Sequence, residues 1–222
     1  MSVWGQFNLI DPANLIQAEM ILFHDHALMI ILSIFILVSL MGGFLLNSSL
    51  STRRVHEAQT LEIFWTILPA MLLVVLALPS LRLLYLLDEH PTHGQNILKV
   101  IGKQWYWSYE SPALGNMMFD SYMTPTAELN NGEFRLLEVD KRAQLPFGVD
   151  SLVLTTSGDV IHSWALPSMG VKMDSVPGRL NSAAINPKQV GVFYGQCSEI
   201  CGANHAFMPI SVEVVPAEEY VS

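Results

Sequence analysis

The chain has 222 residues, of which 51% are hydrophobic and 14% are charged, and its mean hydropathy is +0.37. A water-soluble protein of this length has a lower mean hydropathy, so part of the chain is predicted to lie in lipid. The net charge of −9 and the pI near 5.1 disfavour nucleic-acid binding and favour a basic partner or simple solubility.

Two uncharged apolar runs near the N-terminus are long enough to cross a bilayer as helices. They predict spans at 27–46 and 62–87, joined by a loop at 47–61 and preceded by an N-terminal segment, 1–26. The loop contains Arg53 and Arg54, whereas no Lys or Arg precedes residue 27, so the positive-inside rule places the loop on the cytoplasm-like side and both termini on the other. The N-terminus lacks the basic start of a signal peptide, so no cleaved presequence is expected.

After Leu87 the composition changes to short segments rich in Val, Tyr, Trp and Phe, separated by Gly, Pro, Asn and Asp. This pattern is typical of an antiparallel β-sandwich or barrel, here over residues 88–222. Turn signals such as Asn130-Asn131-Gly132 separate several of the segments. The predicted strands are 97–101, 105–110, 134–139, 151–156, 160–166, 191–195 and 210–215.

The segment CSEICGANHAFM contains the only two cysteines of the chain, Cys197 and Cys201, together with His205 and Met208. Thiolate, imidazole and thioether donors this close together indicate a soft-metal site, and methionine favours copper over zinc. The spacing differs from zinc-finger and ferredoxin patterns, and it has one thiolate too many and one histidine too few for a mononuclear blue-copper site. A disulfide between the cysteines is the structural alternative.

The nearest histidine in sequence, His162, lies in a predicted strand and is the best candidate for the missing imidazole. With it, the donors number two thiolates, two imidazoles and a thioether. This set suits two copper ions bridged by both sulfurs, with Met208 and a backbone carbonyl as weak end ligands.

Several motifs together resemble subunit II of the haem-copper cytochrome c oxidases, most closely the mitochondrial versions. They are CSEICGANHAFMP from Cys197, QWYWSYE at 104–110, FDSYM at 119–123, RLLEVD at 135–140 and HSWALPSMG from His162. The resemblance covers nearly the whole chain. It implies a two-helix transmembrane hairpin followed by an all-β, cupredoxin-like Greek-key sandwich that holds a dinuclear copper A centre.

The resemblance also implies the ligands of that centre. The copper A ligands would be the side chains of His162, Cys197, Cys201, His205 and Met208, with the main-chain carbonyl of Glu199. The Glu199 carboxylate would bind a magnesium ion shared with the catalytic subunit I, and a hard carboxylate ligand suits Mg²⁺.

Further roles follow from the same resemblance. Trp105 would be the surface residue through which electrons pass from cytochrome c, and Glu62 would lie at the entrance of the proton channel called K. This chain lacks the carboxylates that many family members carry between Glu110 and Asp120, so its docking contacts are expected to differ. The candidate docking carboxylates for cytochrome c are Glu110, Asp120, Asp140 and Asp159.

The implied function is that of the subunit that takes electrons from reduced cytochrome c onto copper A. It passes them to haem in the catalytic subunit, where oxygen is reduced to water and protons are pumped. The expected location is the mitochondrial inner membrane, with the loop 47–61 in the matrix and the β-domain in the intermembrane space. A bacterial plasma membrane is the alternative location. Three other functions remain open from sequence: a membrane-tethered copper carrier, a copper-free quinol oxidase subunit, and a binding module locked by a disulfide.

Overall fold

The structure is a computed structural model that describes residues 4–49, 51, 57–89, 96–112, 115 and 117–220. The chain divides into two compact units. One unit, Met20–Tyr85, is helical, and the other joins Met1–Glu19 to Leu86–Ser222 and contains the β-domain. Two N-terminal helices followed by a β-sandwich confirm the predicted fold class.

Helices α1, Leu15–Asn47, and α2, Gln59–Leu87, have the length and apolar composition of membrane spans. α1 begins twelve residues before the predicted span, whose first residue was Ala27. No proline or glycine interrupts the chain between Leu15 and that residue, so the helix continues into a more polar stretch that hydropathy alone does not select. Residues 50 and 52–56 of the predicted loop 47–61, including Arg53 and Arg54, lie outside the described residues.

The β-domain contains three sheets. A five-stranded sheet has the order β3-β2-β1-β5-β8, a three-stranded sheet has the order β4-β10-β9, and β6 pairs with β7. The strands are β1 Asn96–Lys103, β2 Tyr106–Ser111, β3 Met117–Ser121, β4 Ala143–Pro146, β5 Ser151–Ser157, β6 His162–Leu166, β7 Val171–Ser175, β8 Asn181–Ile185, β9 Gly191–Gln196 and β10 Pro209–Val215.

Two strand pairs, β1 with β5 and β4 with β10, are parallel, so the domain is not the purely antiparallel sandwich expected from sequence. A parallel pair requires a long crossover connection, which short hairpin signals do not reveal. Residues 104–150 supply that connection between β1 and β5.

The strand predicted at 134–139 is wrong. Residues Arg135 to Leu137 form turns, Leu136 has a φ of 68°, and only Val139 makes an isolated bridge, to Met123. The carboxylate of the buried Glu138 explains this conformation, because it accepts hydrogen bonds from Tyr194 Oη at 2.7 Å and Arg142 Nη2 at 3.1 Å. A buried carboxylate needs such partners, and they hold the segment away from an extended path.

The main core lies between the sheets. It contains the fully buried Trp107, Tyr109, Trp164, Leu145 and Ile210, and Trp164 Nε1 donates to Tyr109 Oη at 3.3 Å. Burying apolar side chains of this size contributes about 1.5–3 kcal/mol each to folding.

Strands β6 and β9 approach each other unusually closely at Gly195. A Cβ added there would collide with the backbone carbonyl oxygen of Ala165, and it would lie 3.4 Å from Leu166 Cα. The absence of a side chain at Gly195 is therefore what allows the end of β9 to lie against β6.

We predict that Gly195→Ala destabilises the β-domain by about 3 kcal/mol or more, because a backbone oxygen cannot move aside as a flexible side chain would. Thermal unfolding of the purified chain in detergent, followed by circular dichroism, would measure the loss. Gly158→Ala is the matched control, since a Cβ there meets only the Lys103 side chain at 3.8 Å or more. Equal unfolding temperatures for the two variants would contradict the prediction.

Candidate metal centre

The candidate ligands are contributed by one strand and one hairpin loop. His162 is the first residue of β6, and the remaining donors lie between β9 and β10. These two strands pair antiparallel, with Gln196 opposite Pro209, so the ends of the loop 197–208 are fixed next to each other. A loop mounted on a rigid hairpin holds its side chains with little motion.

The donor atoms converge around the two cysteine sulfurs. Cys197 Sγ and Cys201 Sγ are 4.0 Å apart. His162 Nδ1 lies 3.9 Å and the Glu199 carbonyl oxygen 3.4 Å from Cys197 Sγ. On the other side, His205 Nδ1 and Met208 Sδ each lie 3.5 Å from Cys201 Sγ. All six groups named from the sequence are therefore brought together in one site.

The imidazole of His162 is completely buried and held from several sides. Its Nε2 lies 2.8 Å from Asp159 Oδ1, which leaves Nδ1 facing Cys197. Trp107 contacts the ring edge-on, with centroids 5.9 Å apart. A Cβ at Gly102 would lie 2.8 Å from the imidazole, so the glycine provides the space that the ring occupies.

The two thiols differ in acidity. Burial opposes ionisation of Cys197, but hydrogen bonds with His162 and with the backbone at Ser163 and Glu199 outweigh it and lower its pKa to about 7. Burial and the charge of Cys197 raise the pKa of Cys201 to about 12. Cys197 therefore loses its proton to a bound cation more readily than Cys201 does.

The cysteines are not joined in a disulfide. Both are free and buried, and their sulfur separation of 4.0 Å is about twice the disulfide bond length of roughly 2.05 Å. The thiols, imidazoles, thioether and carbonyl fit copper, whereas Mg²⁺ or Ca²⁺ would require oxygen donors at the sulfur pair. Within the described residues, His162, Cys197 and Cys201 have donor atoms within 4.8 Å of one another, a grouping that could hold a metal ion.

Trp105 lies directly against the metal loop. A Cβ added at Gly202 would be 3.0 Å from Trp105 Cζ2, and the glycine has a φ of +128°. The neighbouring Gln104 donates from Nε2 to the Cys201 carbonyl at 2.7 Å. By contrast, Trp107 and Tyr109 are buried in the core, where they pack and do not reach the surface.

Three supporting residues, Gln104, Gly102 and Gly202, were missed by sequence reasoning. Gln104 bonds to the Cys201 carbonyl, and the two glycines leave room for the rings of His162 and Trp105. Such tertiary contacts leave little signal in the local sequence. Gly202 lies within the metal loop, and its position directly after Cys201 was the one available hint.

The predicted docking carboxylates have separate surroundings. Glu110 forms an ion pair with Lys99 at 2.7 Å, Asp120 accepts from Ser108 Oγ at 2.5 Å, and Asp140 accepts from the Tyr122 amide at 2.7 Å. Asp120 and Asp140 line one surface depression, whereas Asp159 binds His162. Glu62 lies in the first turn of α2, in the helical unit.

Comparison with known proteins gives the family. The profile described as "Cytochrome C oxidase subunit II, periplasmic domain" matches residues 96–215, and the profile for the transmembrane domain of the same subunit matches residues 2–83. Cytochrome c oxidase subunit 2 of Albinaria caerulea is 63% identical over 221 residues, covering 100% of this chain and 98% of that protein. The protein of the same name from Sitophilus granarius is 51% identical, covering 97% and 94%.

A solved structure agrees with these relatives. The periplasmic domain of subunit II of the cytochrome oxidase of Bradyrhizobium japonicum is 45% identical, with a TM-score of 0.54, covering 58% of this chain and 90% of that one. The chain belongs to the cytochrome c oxidase subunit II family. It is a membrane-embedded subunit of an oxidoreductase complex, the haem-copper oxidase, in which it receives electrons. Membership of this family implies a copper A centre.

We predict that removing bound metal from the purified chain under denaturing, non-reducing conditions yields two alkylatable thiols per chain. With metal bound in the folded protein, neither thiol reacts, because both sulfurs are buried and engaged as ligands. Counting alkylated residues by mass spectrometry measures both states. A count of zero after metal removal would restore the disulfide alternative.

Proposed function

We propose that this chain receives electrons from reduced cytochrome c at a dinuclear copper A centre and passes them to haem in the catalytic subunit I. The proposed ligands are His162, Cys197, Cys201, His205 and Met208, with the carbonyl of Glu199. The observation that carries the proposal is the convergence of these six donors around two sulfurs 4.0 Å apart.

The copper pair, when bound, supplies a site that accepts and releases a single electron. The protein's contribution is rigidity. His162 is held on β6, and the other donors are held in the loop of the β9–β10 hairpin. Trp107 Nε1 also donates a hydrogen bond to the Met208 carbonyl at 3.3 Å. Donors held this way move little between oxidation states, which keeps the reorganisation energy of electron transfer small.

Trp105 is proposed as the point at which electrons enter from cytochrome c. Its contact with Gly202 and the bond from Gln104 to Cys201 support this role, because they connect the ring to the metal loop through van der Waals contact and a single hydrogen bond. Trp105 also remains partly exposed, as a residue that meets a partner must be.

Docking of cytochrome c is proposed on the face that carries Glu110, Asp120, Asp140 and Asp159. Carboxylates there would attract a lysine-rich partner and raise the encounter rate, an effect that salt screens. Met117 and Met118, on the edge strand β3, are exposed by 60% and 54%. They support an apolar contribution to docking where many relatives carry charge.

The Glu199 carboxylate is proposed to bind Mg²⁺ together with residues of subunit I. Its carbonyl faces Cys197, so a magnesium ion on its side chain would lie close to the copper ligands. The hardness of a carboxylate oxygen supports Mg²⁺ over copper at that position.

Glu62 is proposed to lie at the entrance of the K proton channel. Its position in the first turn of α2, with its side chain exposed, supports contact with a neighbouring subunit. The proposed location is the mitochondrial inner membrane, with the β-domain in the intermembrane space. Two spans, which return the chain to its starting side, support the placement of both termini there.

Cys197→Ser is expected to abolish the hyperfine pattern of an electron shared by two coppers, because a hydroxyl is a much poorer copper ligand than a thiolate. Electron paramagnetic resonance of the purified oxidase measures this. Ser198→Ala, in the same loop, is the control and should keep the pattern. An unchanged spectrum in Cys197→Ser would contradict the assignment.

Trp105→Phe is expected to slow electron uptake from cytochrome c by at least about tenfold, equivalent to about 1.4 kcal/mol in the barrier. Copper content and the paramagnetic spectrum should be unchanged, because Trp105 is not a ligand. Stopped-flow mixing with reduced cytochrome c measures the rate. Trp65→Phe, in α2, is the control. Equal rates in both variants would remove Trp105 from the route.

A further inference from the structure

The carboxylate of Asp159 is directed into the metal centre by bonds to both of its oxygens. Oδ1 lies 2.8 Å from His162 Nε2 and accepts from the Val160 amide at 2.6 Å. Oδ2 accepts from the Gln104 amide at 2.7 Å. The side chain is still 33% exposed, so the same group shows charge to solvent while its oxygens bind inward.

Gln104 extends this connection to the metal loop. While its backbone amide binds Asp159, its side-chain Nε2 donates to the Cys201 carbonyl at 2.7 Å. The residues His162, Asp159, Gln104 and Cys201 therefore form one hydrogen-bonded bracket. The bracket joins His162 on β6 to Cys201 in the metal loop. A backbone bond from the Ser198 amide to the Ser163 carbonyl also connects the loop to β6.

We propose that Asp159 and Gln104 are positioning residues that fix His162 and Cys201 relative to each other in the copper centre. This inference rests on the proposed copper A function. It assigns to Asp159 a role inside the centre in addition to its proposed charge on the docking face. Neither residue is itself a ligand.

The chemistry of the Asp159 bond determines which nitrogen of His162 faces the sulfurs. An ionised carboxylate only accepts hydrogen bonds, so Nε2 carries the proton and Nδ1 keeps its lone pair. The ring also packs tightly against Gly102, since a Cβ at that position would lie 2.8 Å from the imidazole. A carboxylate behind a ligating imidazole increases the basicity of that ligand and stabilises the oxidised metal.

Other carboxylates of the docking face do not share this geometry. Asp120 accepts from Ser108 Oγ, and Asp140 accepts from the Tyr122 amide, and neither bond includes a residue of the centre. Asp120→Asn therefore removes one proposed docking charge, as Asp159→Asn does, but leaves the bonds of the bracket intact, which makes it the matched control.

The test compares the purified oxidase carrying Asp159→Asn, Gln104→Ala or Asp120→Asn with the unmodified enzyme. Copper content after dialysis against a weak chelator, the paramagnetic hyperfine pattern and the reduction potential of the centre are measured alongside the KM for cytochrome c. We expect Asp159→Asn to weaken copper binding about 10- to 100-fold, to raise the reduction potential and to alter the hyperfine pattern.

Gln104→Ala should also alter the hyperfine pattern and the reduction potential, because it removes the bond to the Cys201 carbonyl while the charge of Asp159 remains. Asp120→Asn should raise the KM and leave copper content, potential and spectrum unchanged. If Asp159→Asn impairs assembly, the spectrum and reduction potential of two other variants test the proposal. These are Gln104→Ala and Asp159→Glu, and the latter keeps the charge but displaces the bond to His162.

The proposal is overturned if Asp159→Asn changes only the KM, as Asp120→Asn does, or if Gln104→Ala leaves the spectrum and potential unchanged. Failure of the underlying copper assignment has a different signature, since the unmodified oxidase would then lack a two-copper spectrum.

Discussion

The close approach of β9 to β6 is the constraint on which the site depends. Gly195 lies against the Ala165 carbonyl, and two residues later the chain places Cys197 beside His162. The Ser198 amide then donates to the Ser163 carbonyl at 2.9 Å, which fixes the start of the loop to the strand that carries the histidine. A side chain at Gly195 would separate the strands and with them the imidazole and the thiolate. Backbone packing therefore brings the imidazole of His162 and the thiol of Cys197 together.

The two units of the chain bury their apolar side chains in different ways. The helices expose apolar side chains along their length, which suits lipid and neighbouring helices and would be costly in water. The β-domain buries a core of its own, which includes Cys197, Cys201 and Met208 of the candidate metal centre. Its excess of carboxylates suits encounters with a basic, diffusing partner.

Sequence reasoning reached the donors because their chemistry is concentrated in one loop. Cys197, Cys201, His205 and Met208 are close in sequence, His162 is the nearest further histidine, and the resemblance supplied the Glu199 carbonyl. It did not reach Gln104, whose bonds are to Asp159 and Cys201, 55 and 97 positions further along the chain. Nor did it reach Gly102, because the space that this glycine leaves for the His162 ring is apparent only in the folded chain. The wrong strand at 134–139 has a similar origin: its apolar alternation is local, whereas the bonds of Glu138 to Arg142 and Tyr194 that bend it are tertiary. The strands β3, β4, β7 and β8 were not predicted from sequence.

The pairing of Gln196 with Pro209 makes residues 197–208 a separable insert on an otherwise continuous hairpin. Mutations within the insert can alter the electronic character of the site while the strands and their register persist. Transplanting the insert into another sandwich would carry most of the donors but not the remote histidine or the glycine that makes room for it. A transplanted centre therefore needs more than the loop. The recipient scaffold must already contain a strand equivalent to β6 with its histidine.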